Sequence, residues 1–129
     1  MKTKRALTTC HRVKLRPHEQ LTVDYLLERG FRLELIPISP IPGVKTPDLM
    51  IDGIPWEMKT FSRLHWRTIE RSFRRALNQA PNIIYDLRNF NAQQQEAAIK
   101  MILKAYSLSK AARRLLIITK SGTLETYQK

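Results

Sequence analysis

Cysteine is nearly absent from this chain. Cys10 is the single one in 129 residues, so no disulfide can close within it and no cysteine-rich zinc site can be built. Cys10, His11 and His18 read as a stray thiol and two histidines near the N-terminus rather than as a ligand set. Glycine is scarce as well, with 4 residues, and none of them forms a glycine-rich phosphate loop. No Ser-His-Asp ordering is worth defending as a triad, and there is no His-x-Glu with paired cysteines of the deaminase kind. Long apolar runs are missing, so no segment spans a bilayer. The opening Met1-Lys2-Thr3-Lys4-Arg5 is not followed by the apolar stretch of a signal peptide, and the chain reads as soluble, without membrane insertion. Acidic residues are few: 11 against 23 lysines and arginines, for a formal charge of +12 and a pI near 10.4. Such an excess favours a polyanionic partner, nucleic acid or an anionic membrane surface; the alternative is a soluble domain that is merely basic.

What is present is enough to fold. The chain fits one domain, and 43% of its residues are hydrophobic, enough to bury well over half of the unfolded surface. Residues 1–14 are basic and non-periodic and read as an N-terminal arm; residues 15–129 read as the domain. A helix is expected from Arg16-Pro17 to Arg29, stopped by Gly30, then a strand over 31–36 and a proline-punctuated connection over 37–42. Two strands follow over 47–52 and 54–59, a helix from His65 to Gln79 ending before Pro81, and a buried strand over 82–86. Asn91 is placed to cap a helix reaching Leu108, and strands are expected over 115–119 and 124–127. The order αβββαβαββ predicts an α/β fold, a mixed central sheet flanked by helices.

The most informative stretch is Thr46-Pro47-Asp48 to Lys59. Asp52-Gly53 has the composition of a type I′ turn, whose two central residues both need positive φ. With that turn, Ile51 faces Ile54, Met50 faces Pro55, Leu49 faces Trp56 and Asp48 faces Glu57. Opposed residues share a face with Cβ atoms roughly 5 Å apart, and period-2 geometry sets Lys59 on the face of Glu57. Two carboxylates and an ammonium then converge, and like charges so placed call for a cation between them. Mg²⁺ or Mn²⁺, held by hard carboxylate oxygens, meets that requirement. The arrangement is suited to a metal-dependent phosphodiesterase: the metal polarises a phosphoryl oxygen and acidifies a water, and Lys59 holds the water or neutralises developing charge. The alternative is an edge hairpin with solvated charges.

Glu19 adds a third acid. In the first helix Gln20, Asp24 and Glu28 share a polar face, whereas Glu19 falls within the stripe of Val23, Leu26 and Leu27, where a carboxylate needs a partner or a metal. Its alternative role is to complement the helix dipole from the first turn and accept a backbone amide. Beyond the hairpin, Arg63, Arg67, Arg71, Arg74 and Arg75 form a basic flank suited to phosphate oxygens, while Trp66, Ile69, Phe73, Ala76, Leu77 and Ala80 point inward. Gln79 follows Arg75 by one turn and can reach the acidic patch. Trp66 reads as core in preference to a base-stacking surface, and Asp86 as a local cap.

The pattern of an acid, Pro47-Asp48, Glu57-Met58-Lys59 and a helix bearing Gln79 resembles the PD-(D/E)XK nuclease superfamily, whose restriction-endonuclease-like αβββαβ core matches the order read above. More narrowly, His18-Glu19, Lys45-Thr46-Pro47-Asp48, Trp56-Glu57-Met58-Lys59, Ala80 and Asn82-Ile83-Ile84-Tyr85-Asp86-Leu87 are similar to the C-terminal tRNase domain of CdiA-type contact-dependent growth inhibition toxins. The resemblance implies a metal-dependent endoribonuclease acting on tRNA in the cytoplasm of a target cell. It implies Glu19, Asp48, Glu57 and Lys59 in the site with Gln79 assisting, and an immunity protein as partner. The alternatives are a DNA endonuclease of the restriction or junction-resolving type and a nucleic-acid-binding module without catalysis.

Overall fold

The computed structural model describes residues 14–129 and the backbone of residues 6–8. The elements, in chain order, are β1 (Ala6–Thr8), α1 (Pro17–Glu28), β2 (Arg32–Leu35), β3 (Leu49–Ile51), β4 (Ile54–Lys59), α2 (Trp66–Leu77), β5 (Asn82–Asp86), α3 (Gln95–Leu108), β6 (Arg114–Ile118) and β7 (Leu124–Gln128). The αβββαβ order expected from the sequence runs from α1 to β5, and the strand pairing is mixed, as expected. Packing divides the chain into two compact units, Met1–Trp56 and Glu57–Lys129.

In the first unit, α1 starts with Pro17 at its first position, where the missing N–H costs nothing. It ends in a Schellman motif: Gly30, at φ 87°, donates to the Leu27 carbonyl and Phe31 donates to that of Leu26. Gly30 is needed there because a side chain at positive φ is strained. Val23 and Leu26 of α1 are fully buried, and Leu33, Leu35, Leu49, Ile51 and Trp56 alternate inward along the strands. The strand β2 pairs with β3 in antiparallel fashion. Ala6–Thr8, within the segment read as a basic arm, forms a strand parallel to β2; three residues are too few to show a period. The rest of the first 13 residues lies outside the described part, Cys10 and His11 included.

The β3–β4 hairpin has the expected register, with Ile51 against Ile54, Met50 against Pro55 and Leu49 against Trp56. Asp52 and Gly53 both have positive φ, 50° and 81°, which is the type I′ geometry whose twist matches that of the strands.

In the second unit, Glu57–Lys59 pairs in parallel with β5, β5 in parallel with β6, and β6 antiparallel with the edge strand β7. Asn82–Tyr85 and Leu115–Ile118 are buried throughout, as strands covered on both faces must be. Ile83, Tyr85, Leu115 and Ile117 join Ile69, Phe73 and Ala76 of α2 and Ala98, Ile102 and Ala105 of α3 in one core cluster. His65 caps α2, its Nδ1 accepting from the Arg67 N–H at 3.2 Å, and the helix stops short of Pro81. Asn91 caps as expected, accepting from Gln93 N–H at 2.8 Å, although the chain makes a 3-10 turn over Ala92–Gln94 before α3 begins.

Candidate functional site

Glu57 is 3% exposed, the most deeply buried carboxylate of the described residues. It stands beside Ile83 in the β4–β5 ladder, and Lys59 stands beside Tyr85. Residues paired in this way share a face, so Glu57 and Lys59 lie on the side of the sheet that α2 covers. Gln79 closes the arrangement from the end of α2, its Nε2 donating to Glu57 Oε2 at 2.9 Å. Lys59 Nζ stands 3.6 Å from the same oxygen, with a quarter of its side chain exposed. Burying a carboxylate costs several kcal/mol, and this chain places a lysine and an amide donor on one oxygen of it. The three residues that the sequence separates by up to 22 positions thus form one cluster.

Behind Lys59 the floor is aromatic. Tyr85 is fully buried, and its hydroxyl lies 3.2 Å from that of Ser72 on α2. Burial pushes the Tyr85 phenol up to about 12, against a smaller lowering by the Ser72 hydrogen bond, so it stays neutral at physiological pH. Phe61 meets Tyr85 edge-on, at 5.9 Å between ring centroids, and Phe73 stacks on it at 6.2 Å. Spacing does not single out Ser72 and Tyr85; the available signal is that a tyrosine in the middle of an apolar strand must find a hydrogen-bond partner.

Glu19 and Asp48 belong to the first unit. Glu19 sits half-buried in the first turn of α1, where its Oε1 accepts from the Arg16 N–H at 2.9 Å. This is the local role weighed above. Asp48, also half-buried, immediately precedes β3, and its N–H donates to the Trp56 carbonyl at 3.1 Å. The paired ladder ends at Leu49 and Trp56. Asp86 does act locally: Arg88 forks onto it, Nη2 at 2.7 Å from Oδ2 and Nε at 3.0 Å from Oδ1, while the Arg88 N–H also donates to Oδ1.

Along α2, Arg67, Arg71, Arg74 and Arg75 are exposed, and so is Arg63 ahead of it. Arg74 is paired with Glu70 at 3.4 Å; Arg67, Arg71 and Arg75 have no ion pair among the described residues. Like charges four residues apart destabilise a helix by roughly a few tenths of a kcal/mol each, and Arg67 additionally opposes the helix dipole in the first turn. Trp66 is half-buried against the core, with Lys104 Nζ 4.4 Å from its ring centroid.

Among the described residues no three or more His, Cys, Asp or Glu side chains are grouped so as to hold a metal, and so no all-protein cage is built from them. Mg²⁺ has no need of one: it binds through one or two carboxylates, keeps several waters and takes the rest of its shell from phosphate. A buried carboxylate with hard oxygen donors, such as Glu57, fits that mode.

Fold and site together define a small basic α/β protein with a buried carboxylate–lysine–glutamine cluster and a row of unneutralised arginines on the same helix as the glutamine. Residues 45–124 match the family of the contact-dependent growth inhibition CdiA C-terminal domain, and the chain belongs to that family. The matched span holds Asp48, Glu57, Lys59, Gln79 and the arginines, and leaves Glu19 outside. Among solved structures, the CdiA-CT/CdiI toxin and immunity complex from Burkholderia pseudomallei is similar to 96% of this chain, over 99% of its own chain, with a TM-score of 0.72 and 20% identity. At that identity the likeness is one of fold. No match is found among curated proteins.

Proposed function

We propose that this chain is the toxin domain of a contact-dependent growth inhibition system, a metal-dependent endonuclease that hydrolyses phosphodiester bonds in tRNA. The observation that carries the reading is the Glu57–Lys59–Gln79 cluster: a carboxylate kept almost wholly out of water at the cost of its solvation, beside arginines that the fold leaves unneutralised. Glu57 would hold Mg²⁺ or Mn²⁺ with waters and substrate phosphate completing the shell; Asp48 and Glu19 are the further acids that the PD-(D/E)XK pattern names. The metal, when bound, supplies a Lewis acid for a phosphoryl oxygen and a more acidic water. Lys59 meets the charge that develops on the phosphate, its ammonium already positioned by Glu57. Gln79 fixes the Glu57 carboxylate, and Tyr85 and its aromatic neighbours keep water from that floor. In this reading the domain acts in the cytoplasm of a target cell. It is restrained by an immunity protein, as in the Burkholderia complex, and a net charge of +12 favours an acidic partner.

The test is direct. The purified chain is incubated with total tRNA and with duplex DNA, in Mg²⁺, Mn²⁺ or EDTA, beside Asp48→Ala, Glu57→Gln and Lys59→Met. Metal-dependent cutting of tRNA by the wild type and its loss in the variants is the expected result. Cutting of DNA alone replaces RNA by DNA as substrate, and intact substrates in every metal remove the enzyme reading.

A further inference from the structure

The unneutralised arginines of α2 are not scattered. Arg67, Arg71 and Arg75 lie at successive positions four apart, along one ridge of the helix, and the next position on that ridge is Gln79. The turn after α2 continues the helical path, since Gln79 N–H donates to the Ala76 carbonyl at 2.9 Å. The ridge therefore leads from three exposed guanidinium groups to the amide that holds Glu57 Oε2 at 2.9 Å. Each step of four residues advances about 6 Å, so Arg67 and Arg75 lie about 12 Å apart along the axis. A stacked polynucleotide strand advances about 3.4 Å per nucleotide, and about four phosphates fit within that distance.

Resting on the nuclease reading above, the geometry points to a single-stranded track. An unpaired stretch of RNA lies along the Arg67–Arg71–Arg75 ridge, and its backbone leads to the phosphate at Glu57. Three observations select one strand over a duplex. The ridge is a single row, and the side of α2 carrying Ile69, Phe73 and Ala76 is buried in the core, so the helix has no second basic row for a complementary strand. Arg74, which lies off the ridge, is the arginine that Glu70 neutralises. Glu57 is 3% exposed, so the scissile phosphate must be carried inward on a narrow, flexible backbone; a rigid duplex is too broad. The substrate class is therefore a looped or otherwise unpaired segment, engaged through consecutive phosphates on one side of the cut.

Binding of a labelled RNA oligonucleotide without self-complementarity, and of the same sequence in a duplex, is measured by fluorescence anisotropy over a salt series in EDTA, so that no cleavage intervenes. The proteins are the full chain, the single variants Arg67→Gln, Arg71→Gln and Arg75→Gln, and the controls Lys110→Gln and Lys120→Gln at exposed positions outside α2. Each ridge variant is expected to reduce the slope of log K against log salt by about 0.7 on the single strand, the controls to leave it unchanged, and the duplex to bind more weakly. Unchanged slopes in the ridge variants, or a duplex bound as tightly as the single strand, overturn the track. Cleavage of tRNA together with unchanged slopes removes the track and keeps the nuclease. Reduced slopes without cleavage in any metal keep the track and remove the nuclease.

Discussion

Replacing Glu57 separates function from stability in a way the structure makes quantitative. The carboxylate is 3% exposed, and withdrawing such an ion from water costs several kcal/mol. Lys59 Nζ at 3.6 Å returns about 4–5 kcal/mol at an effective dielectric constant near 20, less what solvent screens on the lysine side. The two terms nearly cancel. Glu57→Gln removes both together, keeps the shape and leaves Lys59 free to turn its ammonium to water. Its melting temperature should stay level or rise, by up to about 2 kcal/mol of stability, or on the order of 8 °C, while cleavage is lost. Lys59→Met does the opposite: it withdraws the ammonium and leaves the buried carboxylate charged. Breaking a buried pair from one side costs about 3–5 kcal/mol, and the partial exposure of Lys59 reduces this to about 2–3. Thermal and urea denaturation followed by circular dichroism, run beside the cleavage assay, reads both effects. A Glu57→Gln variant destabilised by more than about 1 kcal/mol, with Lys59→Met neutral, would refute the reasoning and make Glu57 a structural residue.

Gln79→Leu removes the donor 2.9 Å from Glu57 Oε2 and should cost about 1.5–3 kcal/mol, as hydrogen bonds to charged groups do, with a drop in kcat larger than any rise in KM; unchanged kcat would free Gln79 of any role in holding the acid. Tyr85, raised from 10.0 to about 12 in the folded state, holds its proton longer than in the unfolded chain. Its contribution is complete below pH 10 and is lost as pH rises through 12, roughly 2–3 kcal/mol in all; urea denaturation at pH 9 and pH 11 should show a smaller fall for Tyr85→Phe than for wild type. Gly53→Ala meets no atom within 4 Å but must hold φ at +81°, so a loss of about 1–2 kcal/mol is expected from conformation alone, read as a lower urea midpoint.

The hairpin was legible because two signals coincided: an Asp-Gly pair with one favoured turn, and apolar residues whose alternation fits a single register. The same holds for α2, where Ile69, Phe73 and Ala76 repeat at helical spacing and Pro81 marks the end. Gln79 could be brought near Glu57 because α2 must pack back on the strand it follows. Other features left no local trace. Three residues of β1 are stabilised by their pairing with β2 and show no pattern of their own. Ser72 could not be linked to Tyr85, since their pairing depends on how α2 rotates over β5, which periodicity fixes only to within the width of a face.

Strand β4 pairs antiparallel with β3 up to Trp56 and parallel with β5 from Glu57 onward, so the tight turn at Asp52-Gly53 also sets the frame in which the site is read. One residue removed between Asp52 and Glu57 would bring Met58 to the place of Glu57, and one added would bring Trp56 there; either sends the acid to the opposite side of the sheet and an apolar side chain to Gln79. Length changes over residues 37–47, between β2 and β3, alter no register. Insertions and deletions in this family should therefore collect in that connection, and the seven residues from Gly53 to Lys59 should keep a constant length even where their identities change.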